Sequence, residues 1–181
     1  MSLLCGTARP PLPERLAFIK GAAAASGAAP PAVSYALGGT LYVSATGWLL
    51  LGVPNGLARG VYSALAEPGV ELPPPDPGGA FNAHVSVMSA EEVEQVGGRE
   101  KIKERGKQFR YTIGRLKEVE PAGWPDVAKV WYLTVHSPEL QQLRRSYGLS
   151  SLPHRGEYDF HVTCAVRRRG VLGRGPAGVL R

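Results

Sequence analysis

Two short segments of the chain, AHVSVM and YDFHVTCAV, carry the same pattern: a histidine followed two positions later by a hydroxyl side chain. Residues two apart on an extended strand project from the same face, so His84 lies beside Ser86 and His161 beside Thr163. Each segment comes after a predicted strand and a predicted helix, and the two histidines are 77 residues apart (161 − 84). This order predicts an α+β fold made of two similar halves, each presenting one such strand.

Composition divides the chain into three parts. Residues 1–35 form an extension rich in Ala, Pro and Gly, with one predicted helix around LPERLAFIKGAAAA. Residues 36–168 form the predicted domain, which is long enough to bury a hydrophobic core. Residues 169–181 form a basic tail.

Helices and strands alternate within the predicted domain. Two helices are predicted from their capping residues, Ser89 and Ser137, and a third follows Pro54. Strands are predicted in KQFRYTIGRLKEV and DVAKVWYLTVH. A further strand region, SYALGGTLYVSATGWLLLGVP, is expected to be broken at Gly38–Gly39 and at Gly47.

The positive charge is concentrated in the second half of the chain. Residues 1–80 contain four basic and four acidic side chains, so residues 81–181 contain 17 basic and 11 acidic ones (21 − 4 and 15 − 4) and carry the whole net charge of +6. The final RRRGVLGRGPAGVLR has five arginines and no acidic residue. This bias suits a polyanionic partner such as a nucleotide or RNA, although a basic tail also serves solubility alone.

The cysteines and the apolar segments indicate in which cellular compartment the protein is expected. Cys5 and Cys164 stand at opposite ends of the chain and fit neither a disulfide framework nor a zinc site. The segment MSLLCGTARPPLPERLAF lacks the basic and apolar regions of a signal peptide, and GWLLLGVP is too short to span a bilayer. We therefore expect a cytoplasmic protein that does not contact a membrane.

Two histidines and two hydroxyls suit phosphodiester chemistry. One imidazole takes a proton from the nucleophile, the other gives a proton to the leaving oxygen, and histidine fills either role near neutral pH. The hydroxyls hydrogen-bond the phosphate oxygens on which negative charge develops. The sequence has no H-x-H, H-E-x-x-H, aspartate cluster or P-loop, so we expect no metal and no other cofactor.

The segments HVS (His84, Ser86) and HVT (His161, Thr163), with LRRSYGL ahead of the second, resemble the 2H phosphoesterase superfamily over residues 36–168. The resemblance implies a bilobal, pseudo-symmetric α+β fold with antiparallel sheets flanking a central cleft. It also implies a phosphodiesterase acting on 2′,3′-cyclic phosphates, RNA 3′ ends, or cyclic nucleotides and oligonucleotides, and the superfamily includes phage anti-defence members. Ser86 departs from the commoner threonine, which keeps the hydroxyl and loses a methyl group.

Other side chains are candidates for contacts with a substrate. Aromatic rings that could stack on a base include Trp48, Tyr111, Trp131 and Tyr158, and Arg105 and Arg110 could reach a phosphate. Burial in the core explains most of the rings equally well, and a solvated face explains the arginines. His136 and His154 lack a hydroxyl two positions on and are interpreted as structural or solvated. Cys164 should point into the core, which excludes it as a nucleophile.

The sequence leaves open a non-catalytic module that binds RNA or a nucleotide on the same fold. A binder that had lost catalysis would usually have lost one of the four polar groups, and this chain keeps all four. A metal-dependent nuclease is disfavoured because the sequence has a shortage of clustered carboxylates. Whether both histidine–hydroxyl pairs converge on one cleft is therefore the feature that discriminates between an enzyme and a binder.

Overall fold

The structure, a computed structural model, describes residues 36–75, 80–122 and 124–169. The predicted N-terminal extension and its expected helix lie outside these ranges, as does the predicted basic tail apart from Arg169. Within them, three α-helices and seven strands are seen: β1 (Leu37–Val43), β2 (Leu49–Gly52), α1 (Asn55–Leu65), β3 (Val70–Glu71), β4 (His84–Met88), α2 (Ala90–Gln95), β5 (Gln108–Val119), β6 (Val127–His136), α3 (Pro138–Ser146) and β7 (His161–Arg168).

The helix starts that the sequence predicts are confirmed. The Ser89 hydroxyl accepts the backbone N–H of Glu92 at 3.2 Å, and the Glu92 carboxylate accepts the backbone N–H of Ser89 at 3.0 Å, which is a complete capping box. At α3, the Ser137 hydroxyl accepts the backbone N–H of Leu140, and Pro138 occupies the first turn. Both caps fix where the chain leaves a strand and enters a helix.

The predicted strand break at Gly38–Gly39 is wrong, because β1 continues through both residues. A Cβ atom at Gly39 would lie 2.6 Å from the carbonyl oxygen of Gly52, so the glycine permits the close approach of β2 and does not make a turn. The break at Gly47 is confirmed. Its φ of +86° belongs to the turn that joins β1 to β2.

The strands form one antiparallel sheet in the order β3-β7-β4-β2-β1-β5-β6. Strand β7 also pairs with β6, so six strands close into a ring and β3 extends it beside β7. The predicted α+β class with an antiparallel sheet is therefore confirmed. Two pseudo-symmetric lobes around a central cleft stay a prediction.

The main hydrophobic core lies between one face of this sheet and the helices. It includes Val61 of α1, Val93 of α2 and Leu140 of α3. From the motif strands it takes the residues that alternate with the histidines, among them Val87 and Cys164. Burial raises the pKa of the Cys164 thiol to about 12, in keeping with an inert core side chain. The histidines are consequently turned to the opposite face of the sheet.

Candidate active site

Strands β4 and β7 lie side by side and pair at the residue that follows each histidine, Val85 with Val162. Both valines are fully buried in the core. Since side chains alternate along a strand, the neighbouring polar side chains face away from the core. These are the four motif residues: His84, Ser86, His161 and Thr163.

The antiparallel register places each histidine opposite the hydroxyl residue of the other strand. Because Val85 pairs with Val162, His84 stands opposite Thr163 and Ser86 stands opposite His161. Directly opposite residues have Cβ atoms about 4.5–5.5 Å apart, and diagonal neighbours are about 7–8 Å apart. His84 and His161 are such diagonal neighbours, a separation that one phosphate group can bridge.

Both imidazoles are held by the same local hydrogen bond. The Nδ1–H of His84 donates to the carbonyl oxygen of Asn82 at 2.8 Å, and the Nδ1–H of His161 donates to that of Asp159 at 2.9 Å. A carbonyl oxygen can only accept, so Nδ1 carries the proton in each ring and Nε2 is left for a ligand. The ring of His161 also packs edge-on against Tyr132, with centroids 5.2 Å apart.

A cavity of about 750 Å³ opens on this face and is lined by all four motif residues. We call it the large cavity. Its remaining walls come from the end of β4, from α2, from the segment 148–154 and from two tryptophans, Trp48 and Trp124. The volume lies within the range of small-molecule binding sites.

Two carboxylates line the large cavity beside the start of α2. Hydrogen bonding from the Ser89 side chain lowers the pKa of Glu91, and hydrogen bonding from Arg144 lowers that of Glu92. Both are therefore ionised at neutral pH. Among the side chains that the structure describes, no lysine or arginine lines the large cavity, so a phosphate bound against the four motif residues would meet imidazoles and hydroxyls.

The wall behind Glu92 is held by Arg144, which is fully buried. Its guanidinium donates to the two carboxylate oxygens of Glu92 at 2.7 and 2.9 Å, and to the carbonyl oxygens of Val87 and Ser150. One side chain thus connects β4, α2 and the segment 148–154, all of which line the large cavity.

Two of the aromatic residues considered for stacking on a base lie in the protein interior. Tyr111 is 1 % exposed, and burial raises the pKa of its hydroxyl to about 12. Trp131 is 3 % exposed, with the cations of Lys129 and Arg167 within 6 Å of its ring centre. Neither ring has a free face, and neither lines the large cavity. Trp48, in contrast, does line it.

The two predicted phosphate-binding arginines are likewise engaged away from the large cavity. Arg110 pairs with Glu139 at 2.7 Å, and Arg105 bonds Glu100 at 3.2 Å and the carbonyl oxygen of Ile102. Both belong to exposed ion pairs outside the cavity lining. Tyr158 is exposed and reaches the cavity only through its edge-on contact with the His154 ring, at 5.0 Å.

Sequence reasoning missed His154 and Trp124 as cavity residues. His154 lies in the segment between α3 and β7, has a left-handed backbone with φ of +49°, and lines the large cavity with the two motif histidines. No spacing in the sequence connects it to them. His136 stands exposed at the end of β6, outside the cavity, as its solvated interpretation requires.

Across residues 36–75, 80–122 and 124–169, no group of three or more His, Cys, Asp or Glu side chains is arranged to hold a metal ion. In the same ranges, none of the helices has both the length and the apolar character needed to cross a membrane.

A family model described as Swiss Army Knife, 2H phosphoesterase domain, matches residues 61–172, which is more than half of the chain. The chain therefore belongs to the 2H phosphoesterase family, as the two histidine motifs indicate. Comparisons with curated proteins and with solved structures give no match. The family generally hydrolyses phosphodiester bonds, which indicates a phosphodiesterase-type activity with a nucleotide or RNA substrate. Strands β1 and β2 precede the matched segment and still belong to the same sheet.

Proposed function

We propose that this chain is a metal-independent phosphodiesterase in which His84 and His161 act as general base and general acid. The observation that carries this proposal is the register of β4 and β7, which directs two imidazoles and two hydroxyls into one cavity. General acid and general base catalysis contribute typically about 10²–10⁴-fold each. Both rings present Nε2, the atom that has to exchange the proton.

Ser86 and Thr163 supply the hydrogen bonds that the reacting phosphate requires. Negative charge develops on its non-bridging oxygens, and each hydroxyl stands across the strand pair from an imidazole. With no described lysine or arginine in the cavity lining, the protonated imidazole and these hydroxyls carry the charge stabilisation. The shared Nδ1 hydrogen bond supports treating β4 and β7 as equivalent strands of two similar halves, the bilobal arrangement predicted from the sequence.

The substrate is a nucleoside phosphodiester: a 2′,3′-cyclic phosphate, an RNA 3′ end, or a cyclic nucleotide or oligonucleotide. The large cavity, at about 750 Å³, has room for a nucleoside beside the phosphate. Trp48 and Trp124 line it, and Trp124 is 46 % exposed, so its ring is available to a base. Stacking of a base on an aromatic ring contributes about 1–3 kcal/mol and tolerates every base.

The test is incubation of the protein with 2′,3′-cyclic nucleotides, RNA oligomers and cyclic dinucleotides in EDTA, with chromatographic separation of the products. We expect turnover of at least one substrate in EDTA and a rate that falls on both the acidic and the basic side of its maximum, since one imidazole must be neutral and the other protonated. His136→Ala, which removes an exposed imidazole outside the cavity, is the matched control and should retain full activity.

Two outcomes would count against the proposal. Tight binding of RNA or nucleotides without turnover would favour the non-catalytic binding module. Loss of turnover in EDTA with recovery in Mg²⁺ or Mn²⁺ would replace the two-histidine mechanism by one that requires a metal.

A further inference from the structure

A second, much smaller cavity adjoins the candidate active site. Its volume is about 30 Å³, and it lies where the pairing of β7 changes from β4 to β3. Its walls are Pro73 and Pro74, which follow β3, and Phe81 to His84, which lead into β4. Thr163 of β7 completes the lining. We call it the small cavity.

The small cavity breaks the symmetry between the two motif strands. His84 and Thr163, which stand opposite each other, line both cavities. Ser86 and His161 line the large cavity and do not border the small one. Both imidazoles therefore donate Nδ1–H to a backbone carbonyl and line the large cavity, but His84 also borders the small one.

The volumes of the two cavities suit different occupants. A cavity must offer roughly 10–15 Å³ to hold one water molecule, which occupies about 30 Å³ in the liquid, so the small cavity accommodates water and excludes a nucleoside. The large cavity, about 25 times larger (750 against 30 Å³), accommodates the nucleoside. Water and leaving group must lie on opposite sides of the phosphorus atom in an in-line displacement, so two adjoining cavities of such different volume can take one each.

On this basis we propose that the small cavity holds the water molecule that attacks the phosphorus, and that His84 is the base and His161 the acid in hydrolysis. The proposal rests on the function proposed above and adds the assignment of the two roles. Its chemical ground is that a general base must lie within hydrogen-bond reach of the nucleophile whose proton it takes.

The proton balance of the step is complete. Nε2 of His84 takes one proton from the water as its oxygen forms a bond to phosphorus. The bond between phosphorus and the leaving oxygen breaks, and Nε2–H of His161 gives its proton to that oxygen. The products are a phosphomonoester and an alcohol, and exchange of protons with solvent restores both imidazoles.

Asn82 belongs to the same assignment as a positioning residue. Its backbone carbonyl fixes Nδ1–H of His84, while its side chain donates to the Tyr42 hydroxyl at 3.3 Å. Asn82 also lines the small cavity, so one residue both orients the imidazole of the base and forms part of the wall of the water site.

The first experiment tests the size of the nucleophile's site. The wild type is incubated with its best substrate in aqueous methanol and in aqueous n-propanol, and phosphate esters of the alcohols are measured against the hydrolysis product. We expect no propyl ester from the wild type. Phe81→Ala, which enlarges the small cavity, should produce it, whereas the matched variant Leu149→Ala, which enlarges only the large cavity, should not.

The second experiment tests the roles. On the nucleoside p-nitrophenyl phosphate that the wild type cleaves fastest, the leaving group needs no proton, so a missing acid has little effect. His161→Ala should retain activity within about tenfold of the wild type, while His84→Ala should lose about 10²–10⁴-fold. Circular dichroism at the assay temperature verifies that both variants are folded.

The outcomes separate this inference from the proposed function. A wild type that cleaves no phosphodiester contradicts both. Propyl ester formed by the wild type, or its absence from a folded Phe81→Ala variant that still hydrolyses the substrate, contradicts the water site alone. Equal losses in the two histidine variants on the activated ester, or the reverse order, overturn the assignment of base and acid and leave a two-histidine phosphodiesterase standing.

Discussion

Strands β4 and β7 carry the same histidine–hydroxyl spacing and hold their imidazoles by the same hydrogen bond, but their neighbours differ. Strand β4 has five residues and pairs mainly with β2, whereas β7 has eight residues and pairs with β6, β4 and β3. His84 borders the small cavity, and His161 packs against Tyr132. The two strands thus present equivalent imidazole Nε2 atoms, and the two imidazoles differ in the residues that surround them.

The largest expected effect comes from removing the histidine that each of the two strands carries. His84→Ala and His161→Ala should each lower kcat/KM on the unactivated substrate by about 10²–10⁴-fold, because hydrolysis uses one base and one acid. The double variant should lose little more than the worse single variant, since the two groups act in one step. The measurement is steady-state hydrolysis with each folded variant. A single variant within threefold of the wild type would place the chemistry elsewhere.

The next effect concerns the ion pair between Glu92 of α2, which follows β4, and Arg144 of α3, which precedes β7. Glu92→Gln leaves the guanidinium of Arg144 buried without its carboxylate, which should lower the free energy of unfolding by roughly 3–5 kcal/mol. Urea denaturation at pH 7 measures it. Glu94→Gln, on the same helix and exposed, is the matched control and should change the free energy of unfolding by less than about 0.5 kcal/mol.

The same pair predicts how stability depends on pH. The folded pKa of Glu92 is lowered, chiefly by the hydrogen bonds from Arg144, so its stabilisation is present above the unfolded pKa and is lost as pH falls towards the folded value. The wild type should therefore lose more unfolding free energy than Glu92→Gln when urea titrations are repeated from about pH 5 downwards. Parallel losses in both proteins would contradict the lowered pKa.

The hydroxyls should matter less than the imidazoles. Ser86→Ala and Thr163→Val should each lower kcat by about 10–10³-fold, as the loss of a single donor to a developing charge does. Thr163→Val should cost more, because Thr163 lines both cavities and Ser86 lines one. Ser63→Ala, an exposed hydroxyl on α1, serves as the control. Unchanged kcat in both motif variants would remove the hydroxyls from the site.

The smallest expected effect comes from giving β4 the same hydroxyl residue, threonine, that β7 has. Ser86→Thr keeps the hydroxyl and adds the methyl group that restricts its rotation. Because a side chain has three staggered wells at χ1, fixing one of them should raise kcat/KM by at most about threefold. A large loss would mean that the wall of the large cavity beside β4 has no room for a methyl group.

Strand periodicity allowed the sequence to predict which side chains share one face of a strand. His84 and Ser86, and likewise His161 and Thr163, had to share a face, and the buried Cys164 had to face the core. The helix caps at Ser89 and Ser137 were also predicted, from the residues that follow each serine within a few positions. Each of these depends on residues at most a few positions apart.

What the sequence did not predict depends on residues far apart along the chain. Gly39 is required by the carbonyl of Gly52, and His154 reaches the large cavity through the path of a whole loop. Tyr111 lies in a strand whose register with β6 shifts between Ile113 and Leu116, so alternation along that strand is not continuous. Such contacts are properties of the assembled sheet, which local patterns do not contain.

The ring of six strands has a consequence for folding during synthesis. Among the described strands, β7 is the last along the chain, and its pairing with both β6 and β4 closes the ring. A nascent chain that ends before residue 161 can form its local hairpins but exposes the strand edges of β4 and β6, which are prone to pair with other chains. A chain of residues 1–160 should therefore self-associate at micromolar concentration, which light scattering would detect, while the full chain should not. The strand that completes the site is also the one that ends this exposure, so catalytic competence and resistance to aggregation arise together.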